Sequence, residues 1–354
     1  MQELIVNLHN HSNISSGTAN YYEMAQAGLN AGIDVLIVTE HNILIHEKDQ
    51  YYHRDGKNVL LLAGEEIKDP ARPYENHILV LDTDLELASF ASDPQAVIDA
   101  VRRSGGISIL AHPFAKDNRW LKKKGAPWIT WPATNFTGIE IYNLLDEFYS
   151  QSRGIFSLLG NASQPELFPM GANEESILKW DELLLSGKMV NAYAGSDGRQ
   201  APEEIGFRTF PILPYEFGFR CLNNHVFVPQ QLSGDVDTDK RMIYQALKAG
   251  RFFIGLDLIH PSAGFSFKAD GENQTVWPGG RMRFENSVTL KIRNPKEAIC
   301  RLIHNGKVVR HWEKLRSLPV VVTEPGYYRV ETYLPYRNKL RCWIYSNPIY
   351  LDKA

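Results

Sequence analysis

From residue 1 to about residue 260, short apolar runs alternate with helical patterns, and this alternation restricts the possible folds more than any other feature. The run ELIVNLH is followed by YYEMAQAGLNAG, whose apolar spacing and closing Gly32 indicate a helix. DVLIVTEH follows as a run apolar enough for a buried parallel strand. Later, DPQAVIDAVRRSGG offers Asp93 as a helix N-cap and Pro94 in the first turn. We therefore predict an α/β fold with a mainly parallel sheet over residues 1–263.

The character of the sequence changes at about residue 264. Helical periodicity disappears, and RMRFENSVTLKIRN, LPVVVTEPGYYRVETYLP and LRCWIYSNPIYL read as strands broken by turns. The Asn-Gly pair in IHNGKVV is the clearest hairpin pattern in this region. We therefore predict a second, all-β domain, a small sandwich, over residues 264–354.

Composition narrows the classes of partner. Hydrophobic residues make up 44% of the chain and charged residues 22%, with a formal net charge of -3. No block of like charge stands out, so we expect neither a nucleic-acid polymer nor a membrane surface as a partner. The amino terminus reaches polar residues by Asn7, which predicts a cytoplasmic protein without a signal peptide.

Polar side chains collect at the ends of the apolar runs. His9 and His11 lie two residues apart just after the run LIV, so an extended strand would project both imidazoles from one side. A shared metal ion is one explanation of such a pair, and hydrogen bonds to carboxylates are the other. Five further segments end in polar residues, namely Glu40 with His41, Glu65 with Glu66, His112, Asn143 and Asp197, whereas His77 begins its run. Because α/β proteins assemble active sites at strand carboxyl ends, this distribution indicates an enzyme.

The order of these segments carries a family resemblance. LHNHS, TEHN, GEEI, HILV, AHP and GSDGR closely resemble, in this order, the motifs of the PHP family, the polymerase and histidinol phosphatase metallohydrolases. The resemblance covers most of residues 4–260. It implies a distorted barrel of strands and helices with two or three metal ions at the strand carboxyl ends. Members of the family are chiefly phosphoesterases.

Carried over residue by residue, the resemblance implies two metal sites. One ion would be held by His9, His11, Glu66 and Asp197, and a second, bridged by Glu66, by His77 and His112. The third site of the family is altered, because Ser16 and Arg199 stand where it usually has ligands, and Glu40 replaces the Asp before His41. Either His41 contributes to a weak third site, or His41 and Arg199 bind substrate.

The chemistry implied by the resemblance is hydrolysis. Two divalent ions, zinc, manganese or iron, can share a hydroxide placed in line with a phosphorus centre. We expect a phosphoesterase of small phosphorylated metabolites or nucleotides, with catalytic roles for Glu66, Asp197, His41 and Arg199. The C-terminal domain resembles one in a PHP subgroup that includes proteins similar to carbaryl hydrolase, so an ester, carbamate or amide hydrolase is the first alternative. A metal-stabilised binding module without catalysis is the second.

Polar residues next to the candidate ligands are expected to have structural rather than catalytic roles. Successive strand residues face opposite sides, so we expect Glu65 to be a structural partner of Glu66. Glu140 and Asn143 are expected to support the ligands. We interpret five basic residues of the loop after His112 as a solvated surface rather than as contacts to a substrate anion, namely Lys116, Arg119, Lys122, Lys123 and Lys124.

Overall fold

The computed structural model describes residues 1–200, 202–205, 208–271 and 274–353, with strands and helices over most of that range. The helices are α1 Tyr21–Ala31, α2 Pro94–Ser104, α3 Leu144–Gln151, α4 Ile155–Ser163, α5 Glu174–Leu185, α6 Tyr215–Cys221 and α7 Val236–Lys248. The strands are β1 Gln2–Asn7, β2 Val35–His41, β3 Gln50–Arg54, β4 Lys57–Ile67, β5 Ile78–Leu81, β6 Ile107–Leu110, β7 Gly138–Asn143, β8 Asn191–Gly195, β9 Pro202–Ile205, β10 Arg208–Pro211, β11 Asn223–Val228, β12 Phe252–Gly255, β13 Ser266–Asp270, β14 Thr275–Val276, β15 Arg281–Phe284, β16 Val288–His304, β17 Lys307–Val322, β18 Gly326–Tyr336, β19 Lys339–Ser346 and β20 Ile349–Lys353.

Side-chain caps fix the first two helices where the sequence predicted them. In α1, the Asn20 side chain accepts from the Glu23 amide at 3.0 Å and the Glu23 carboxylate accepts from the Asn20 amide at 2.9 Å. Gly32 ends this helix with a φ of 75°, a conformation that glycine adopts without strain. The carboxylate of Asp93 accepts from two amides at the start of α2, which confirms it as the predicted N-cap.

The prediction of a mainly parallel sheet was wrong. Parallel pairing joins β1 to β2, β2 to β4, β6 to β7 and β7 to β8. Antiparallel pairing joins β1 to β11, β11 to β12, β3 to β4, β4 to β5 and β5 to β6. The physical reason is that β5 follows β4 through a loop without a crossover helix, and a direct return of the chain produces an antiparallel pair.

Side chains, rather than a neighbouring strand, bond to part of β8. The Asn224 side chain on β11 accepts from the Ala194 amide at 3.1 Å and donates to the Ala194 carbonyl at 2.8 Å. The Asn347 side chain, between β19 and β20, accepts from the Ala192 amide at 2.8 Å. These bonds satisfy backbone groups of β8 that would otherwise be buried without partners. They link β8 to β11, although a closed barrel remains a prediction.

The C-terminal part is built from strands, as its sequence indicated. Asn305 and Gly306 have φ values of 48° and 76° in the turn between β16 and β17, which confirms the predicted Asn-Gly hairpin. The core here includes Phe267, Leu290 and Trp343, each fully buried. Antiparallel pairing of β12 with β19 joins these strands to the amino-terminal part. The sandwich and the division at residue 263 remain predictions.

Among the helices of the described residues, none combines the length and the apolar character needed to cross a bilayer.

Candidate metal centre

The seven residues predicted as metal ligands meet at one end of the amino-terminal strands. They are His9, His11, His41, Glu66, His77, His112 and Asp197, and all are buried except His41, which is partly exposed. His41 and Glu66 are register partners in the parallel pair of β2 and β4. His77 comes just before β5, and because β5 runs antiparallel to β4, its start lies beside the carboxyl end of β4. This direction explains why His77 alone begins an apolar run.

The carboxylate of Glu66 lies at the centre of the cluster. Three imidazole nitrogens face its Oε2 atom, namely Nε2 of His9 at 3.3 Å, Nε2 of His11 at 3.0 Å and Nδ1 of His41 at 3.1 Å. Two others face its Oε1 atom, namely Nδ1 of His77 at 2.6 Å and Nε2 of His112 at 3.3 Å. The two oxygens therefore divide the imidazoles into two groups, as a carboxylate that bridges two cations would.

Asp197 joins the first of these groups. Its Oδ1 atom lies 3.4 Å from Nε2 of His11 and 3.8 Å from Nε2 of His9. The same oxygen accepts a hydrogen bond from Nε of Arg199 at 2.7 Å. The Arg199 side chain is 24% exposed, so it points towards the cluster rather than into solvent.

Hydrogen bonds from the far sides of the rings orient three imidazoles. Nδ1 of His9 lies 2.9 Å from Oε1 of Glu140, Nδ1 of His112 lies 3.2 Å from the Ala126 carbonyl, and Nε2 of His77 lies 2.9 Å from the Pro73 carbonyl. A nitrogen that donates to these oxygens carries the proton, so the other nitrogen presents a lone pair to the cluster. Glu140 also accepts from the Asn143 side chain at 3.0 Å, which agrees with the expected supporting role of both residues.

Left-handed backbone conformations occur at three of the seven residues. The φ values are 64° at His9, 31° at His112 and 48° at Asp197. Such values are uncommon outside glycine and cluster at functional sites, where the surrounding structure holds them. They correct the argument from strand alternation, because β1 ends at Asn7 and His9 is not extended. Both imidazoles still reach the cluster, with ring centroids 5.4 Å apart.

The electrostatics of the cluster keep its carboxylates charged. Burial alone would raise the pKa of Glu66, but the imidazoles of His41, His9 and His77 outweigh it and hold the pKa well below the usual range. Burial likewise opposes the ionisation of Asp197, but Arg199 and His9 hold its pKa well below normal. Burial, with a contribution from Arg199, lowers the pKa of His41 to about 3, so this imidazole is neutral. Burial opposes the protonation of His9 and His112, but Glu140 raises the pKa of His9 well above its usual range and Glu66 raises that of His112. Anionic carboxylates and neutral imidazoles are the forms that bind metals, so a bound cation would displace a proton from each of these two rings.

Buried ring nitrogens without hydrogen bonds, and the spacing of the donor atoms, show whether the cluster fits divalent cations. Nδ1 of His11 is buried without a hydrogen-bond partner among the described residues. Nε2 of His11 and Nδ1 of His41 make no hydrogen bond there either, although Oε2 of Glu66 lies 3.0 and 3.1 Å from them. Such atoms are rare in folded proteins, since each costs free energy. Three sets of donor atoms lie within 4.8 Å of one another: His9, Glu66 and His112; His9, His11 and Asp197; and His11, His41 and Glu66. Imidazole and carboxylate donors suit zinc, manganese or iron, so the residues fit such ions.

Glu40 and Glu65 lie near the cluster but do not join it. Glu40 accepts from the backbone amide of Ser12 at 3.0 Å and from the hydroxyls of Ser12 and Ser15, so it holds the loop after His11. The carboxylate of Glu65 is buried away from the imidazoles, and burial together with Glu86 raises its pKa to about 7. Its orientation agrees with the expectation that the two successive glutamates face opposite sides.

A cavity of about 550 Å³ opens above the cluster, and cationic side chains form much of its lining. His41, His77, His112, Asp197 and Arg199 lie on its wall, with Lys68, Lys116, Lys122, Lys123 and Lys124. All four loop lysines are also exposed, which agrees with their interpretation as a solvated surface, and Arg119 does not line the cavity. Lys68 was missed, although its position two residues after Glu66 on the same strand end could have indicated it.

The similarity of this chain to known proteins is low. No protein-family model and no curated protein matches the chain. A crystal structure of a two-domain protein from Bacteroides vulgatus, containing a predicted PHP-like metal-dependent phosphoesterase, is 15% identical with a TM-score of 0.45, over 98% of this chain and 95% of that one. An amidohydrolase from Chromobacterium violaceum, with bound sulfate and no metal, is 13% identical with a TM-score of 0.31, over 59% of this chain and 92% of that one. At these TM-scores neither similarity supports an assignment of family or activity.

Proposed function

We propose that this protein is a metal-dependent phosphoesterase that acts on small phosphorylated molecules. The observation that carries the proposal is the division of five imidazoles between the two oxygens of Glu66, at the floor of a lysine-lined cavity. Buried histidines that only stabilised a fold would be hydrogen-bonded to protein groups, whereas Nδ1 and Nε2 of His11 and Nδ1 of His41 make no hydrogen bond with the described residues, although Oε2 of Glu66 lies near two of them.

Two groups of residues would hold the metal ions. His9, His11 and Asp197 with Oε2 of Glu66 would bind one ion, and His77 and His112 with Oε1 of Glu66 would bind the other. When bound, two divalent ions activate water for attack on phosphorus and neutralise charge that develops on the phosphoryl group.

Arg199 and the lysines would hold the phosphoryl oxygens. One face of the Arg199 guanidinium is fixed by its bond to Asp197, which leaves its terminal nitrogens to bind an anion. Lys68 faces the same cavity, and no ion pair of its ammonium group is found among the described residues. Fixed positive charge in a partly buried cavity favours a dianionic phosphate over a neutral group.

His41 could either bind a third cation or donate a hydrogen bond, and the tautomer of its ring decides between these two roles. Nε2 of His41 lies 3.2 Å from the hydroxyl of Ser16. If Nε2 donates to Ser16, Nδ1 presents a lone pair to a third, weaker cation. If Nδ1 carries the proton instead, it donates to Glu66 or to a substrate oxygen.

The competing reaction is hydrolysis of carbon esters, carbamates or amides at the same cluster. The cationic cavity disfavours this alternative, because lysines add nothing to the binding of a neutral carbamate. A binding module without turnover is the second alternative, and the cavity would admit its ligand as readily as a substrate.

Reconstitution tests the proposal directly. Protein stripped of metal would be loaded separately with zinc, manganese and iron(II), then assayed on p-nitrophenyl phosphate, a panel of natural phosphomonoesters, p-nitrophenyl acetate and an aryl carbamate. We expect metal-dependent release of phosphate that exceeds turnover of the neutral esters. Faster turnover of acetate or carbamate would favour the carbon hydrolase, and metal binding without any turnover would favour the binding module.

A further inference from the structure

A second cavity, also about 550 Å³, lies between the amino-terminal part and the C-terminal strands. It shares His112, Lys116 and Asp146 with the cavity above the metal cluster, so the two cavities meet at these residues. Arg301 on β16 and Tyr333 on β18 line its far side. The two cavities are therefore neighbours, and the second presents a surface that belongs to the C-terminal strands.

Arg301 and Tyr333 are held in place by a chain of contacts. The Arg301 guanidinium lies 4.6 Å from the centroid of the Tyr333 ring, and its Nη1 atom donates to the Tyr333 hydroxyl at 3.3 Å. That hydroxyl donates to Oε2 of Glu331 at 2.5 Å. Glu331 is buried and also accepts from Arg329. Because each partner is fixed by the next, this wall is organised before any ligand binds.

The opposite wall is tied to the same strands. The Ala172 amide donates to the Tyr345 hydroxyl at 2.9 Å, and Arg341 donates to the Leu167 carbonyl at 2.8 Å. A Cβ atom at Gly171 would lie 2.8 Å from the Tyr345 hydroxyl, and the φ of 129° at this glycine also disfavours any side chain. The segment before α5 therefore has a fixed separation from the C-terminal strands, and the cavity between them keeps its shape.

The lining indicates the kind of group that would bind. This cavity has cationic donors, Arg153 and Arg301, and an anionic acceptor, Glu174, that the lysine-lined cavity lacks, and it shares the carboxylate of Asp146 with that cavity. A hydroxyl group donates and accepts at once, so several hydroxyls can use both kinds of partner, whereas a second phosphate would be repelled by the carboxylates. The aromatic ring of Phe114 adds an apolar surface for the C–H face of a sugar ring.

We propose that this cavity binds a polyhydroxylated group, a sugar or polyol, that is esterified to the phosphate held above the metal cluster. The inference rests on the proposed phosphoesterase function and names the class of its leaving group. It assigns the C-terminal strands a part in substrate specificity.

Arg301→Met tests the proposal, since methionine keeps an apolar stem but removes every donor. Glucose, ribose, glycerol and inositol phosphates would be compared with methyl phosphate, which carries the same phosphate but no polyol. We expect wild-type protein to prefer at least one polyol phosphate, and Arg301→Met to reduce that preference in kcat/KM about tenfold, the typical effect of one charge-assisted hydrogen bond. Arg316→Met, at an exposed position on β17, is the matched control and should keep the wild-type preference.

Binding of the free polyols separates this inference from the proposed function. Titration calorimetry with glucose, ribose, glycerol and inositol should detect binding of at least one of them to wild-type protein and weaker binding to Arg301→Met. Polyol binding without phosphate release would support the cavity assignment and overturn the phosphoesterase. Phosphate release with no polyol preference and no polyol binding, or a preference unchanged in Arg301→Met, would overturn the cavity assignment alone.

Discussion

Glu66 is the residue on which both candidate metal sites depend. Its oxygens face different imidazoles, and an amide cannot replace both because its nitrogen donates rather than accepts. We predict that Glu66→Gln lowers metal content below two ions per chain and reduces kcat/KM by on the order of a hundredfold or more. Elemental analysis after reconstitution checks the first effect.

Glu65→Gln is the matched control for this substitution. Glu65 is the adjacent glutamate and is equally buried, but its carboxylate faces away from the imidazoles. It should therefore leave metal content at the wild-type value. If Glu66→Gln retains both ions and full activity, the bridging role is wrong.

Substitutions of Arg199 distinguish phosphorylated substrates from neutral ones. Arg199→Ala removes a charge-assisted contact worth about 1.5 to 3 kcal/mol, so we predict a loss of roughly ten- to a hundredfold in kcat/KM for phosphorylated substrates with both ions retained. Arg199→His should add binding of a third ion, since histidine would restore a ligand beside His41. Arg119→Ala, an exposed arginine outside the cavity, should behave as wild type. An equal loss on a neutral ester would contradict anion binding by Arg199.

At the residue scale, the sequence was sufficient to predict the seven candidate metal ligands, but it did not predict the side chains and backbone conformations around them. The seven nominated residues meet because each lies at or within four residues of a strand end, a region that apolar runs mark directly. The left-handed conformation of His9, the serine contacts of Glu40 and the place of Lys68 in the cavity depend on tertiary contacts. No local pattern of residue types encodes such contacts.

At the scale of the elements, the direction of the strands could not be predicted from the sequence. The apolar runs of β4 and β5 have the same composition whichever way they run, so periodicity cannot distinguish a crossover from a direct return. The position of His77 at the start of β5 was the only indication, because a site residue at the wrong end of a run requires a reversed strand.

A buried imidazole joins β1, β11 and the loop after β12, and it predicts a dependence of stability on pH. His225 on β11 lies 2.8 Å from Oε1 of Glu3 on β1 and 3.0 Å from Oδ2 of Asp257, after β12. Burial lowers the pKa of His225, but Asp257 and Glu3 outweigh it and raise the pKa to about 9. Since this value exceeds that of the unfolded chain, the contribution to stability is complete below about pH 6.5 and is lost as pH rises through about 9.

His225→Gln tests this contribution. We predict that the variant unfolds at lower urea concentration than wild type at pH 6, because Glu3 and Asp257 lose their charged partner. The difference in free energy of unfolding between the two proteins should shrink between pH 7 and pH 10. Measurements on metal-free protein avoid the titration of the metal cluster. A difference that does not vary with pH would show that the imidazole is not charged in the fold.

At the scale of the whole molecule, the two parts predicted from the sequence are joined more tightly than a linker would allow. Hydrogen bonds pair β12 with β19, and Asn347 bonds to β8 from between the last two strands. The sequence marked the change from mixed α/β to all-β character near residue 264. It could not indicate these contacts, because they join residues far apart in the chain whose types are common in any strand or turn.

A buried ion network also crosses this junction. Arg329 on β18 donates to Asp181 on α5 at 3.0 and 2.7 Å and also to Glu331, and its side chain is only 2% exposed. Removing the cation leaves two carboxylates buried without it, and breaking such a pair typically costs about 3 to 5 kcal/mol. We predict that Arg329→Met lowers the free energy of unfolding by that amount.

The same network supports the wall of the second cavity, so its loss should have a functional consequence as well. Without Arg329, Glu331 no longer has a fixed position from which to hold Tyr333 and Arg301. We therefore predict that Arg329→Met reduces the preference for polyol phosphates while metal content stays at the wild-type value. Arg281→Met removes an arginine that pairs with Asp352 at the surface, where its side chain is 58% exposed, and should cost about 1 kcal/mol or less. Equal effects of the two substitutions on urea unfolding would mean that the buried network does not join the two parts of the molecule.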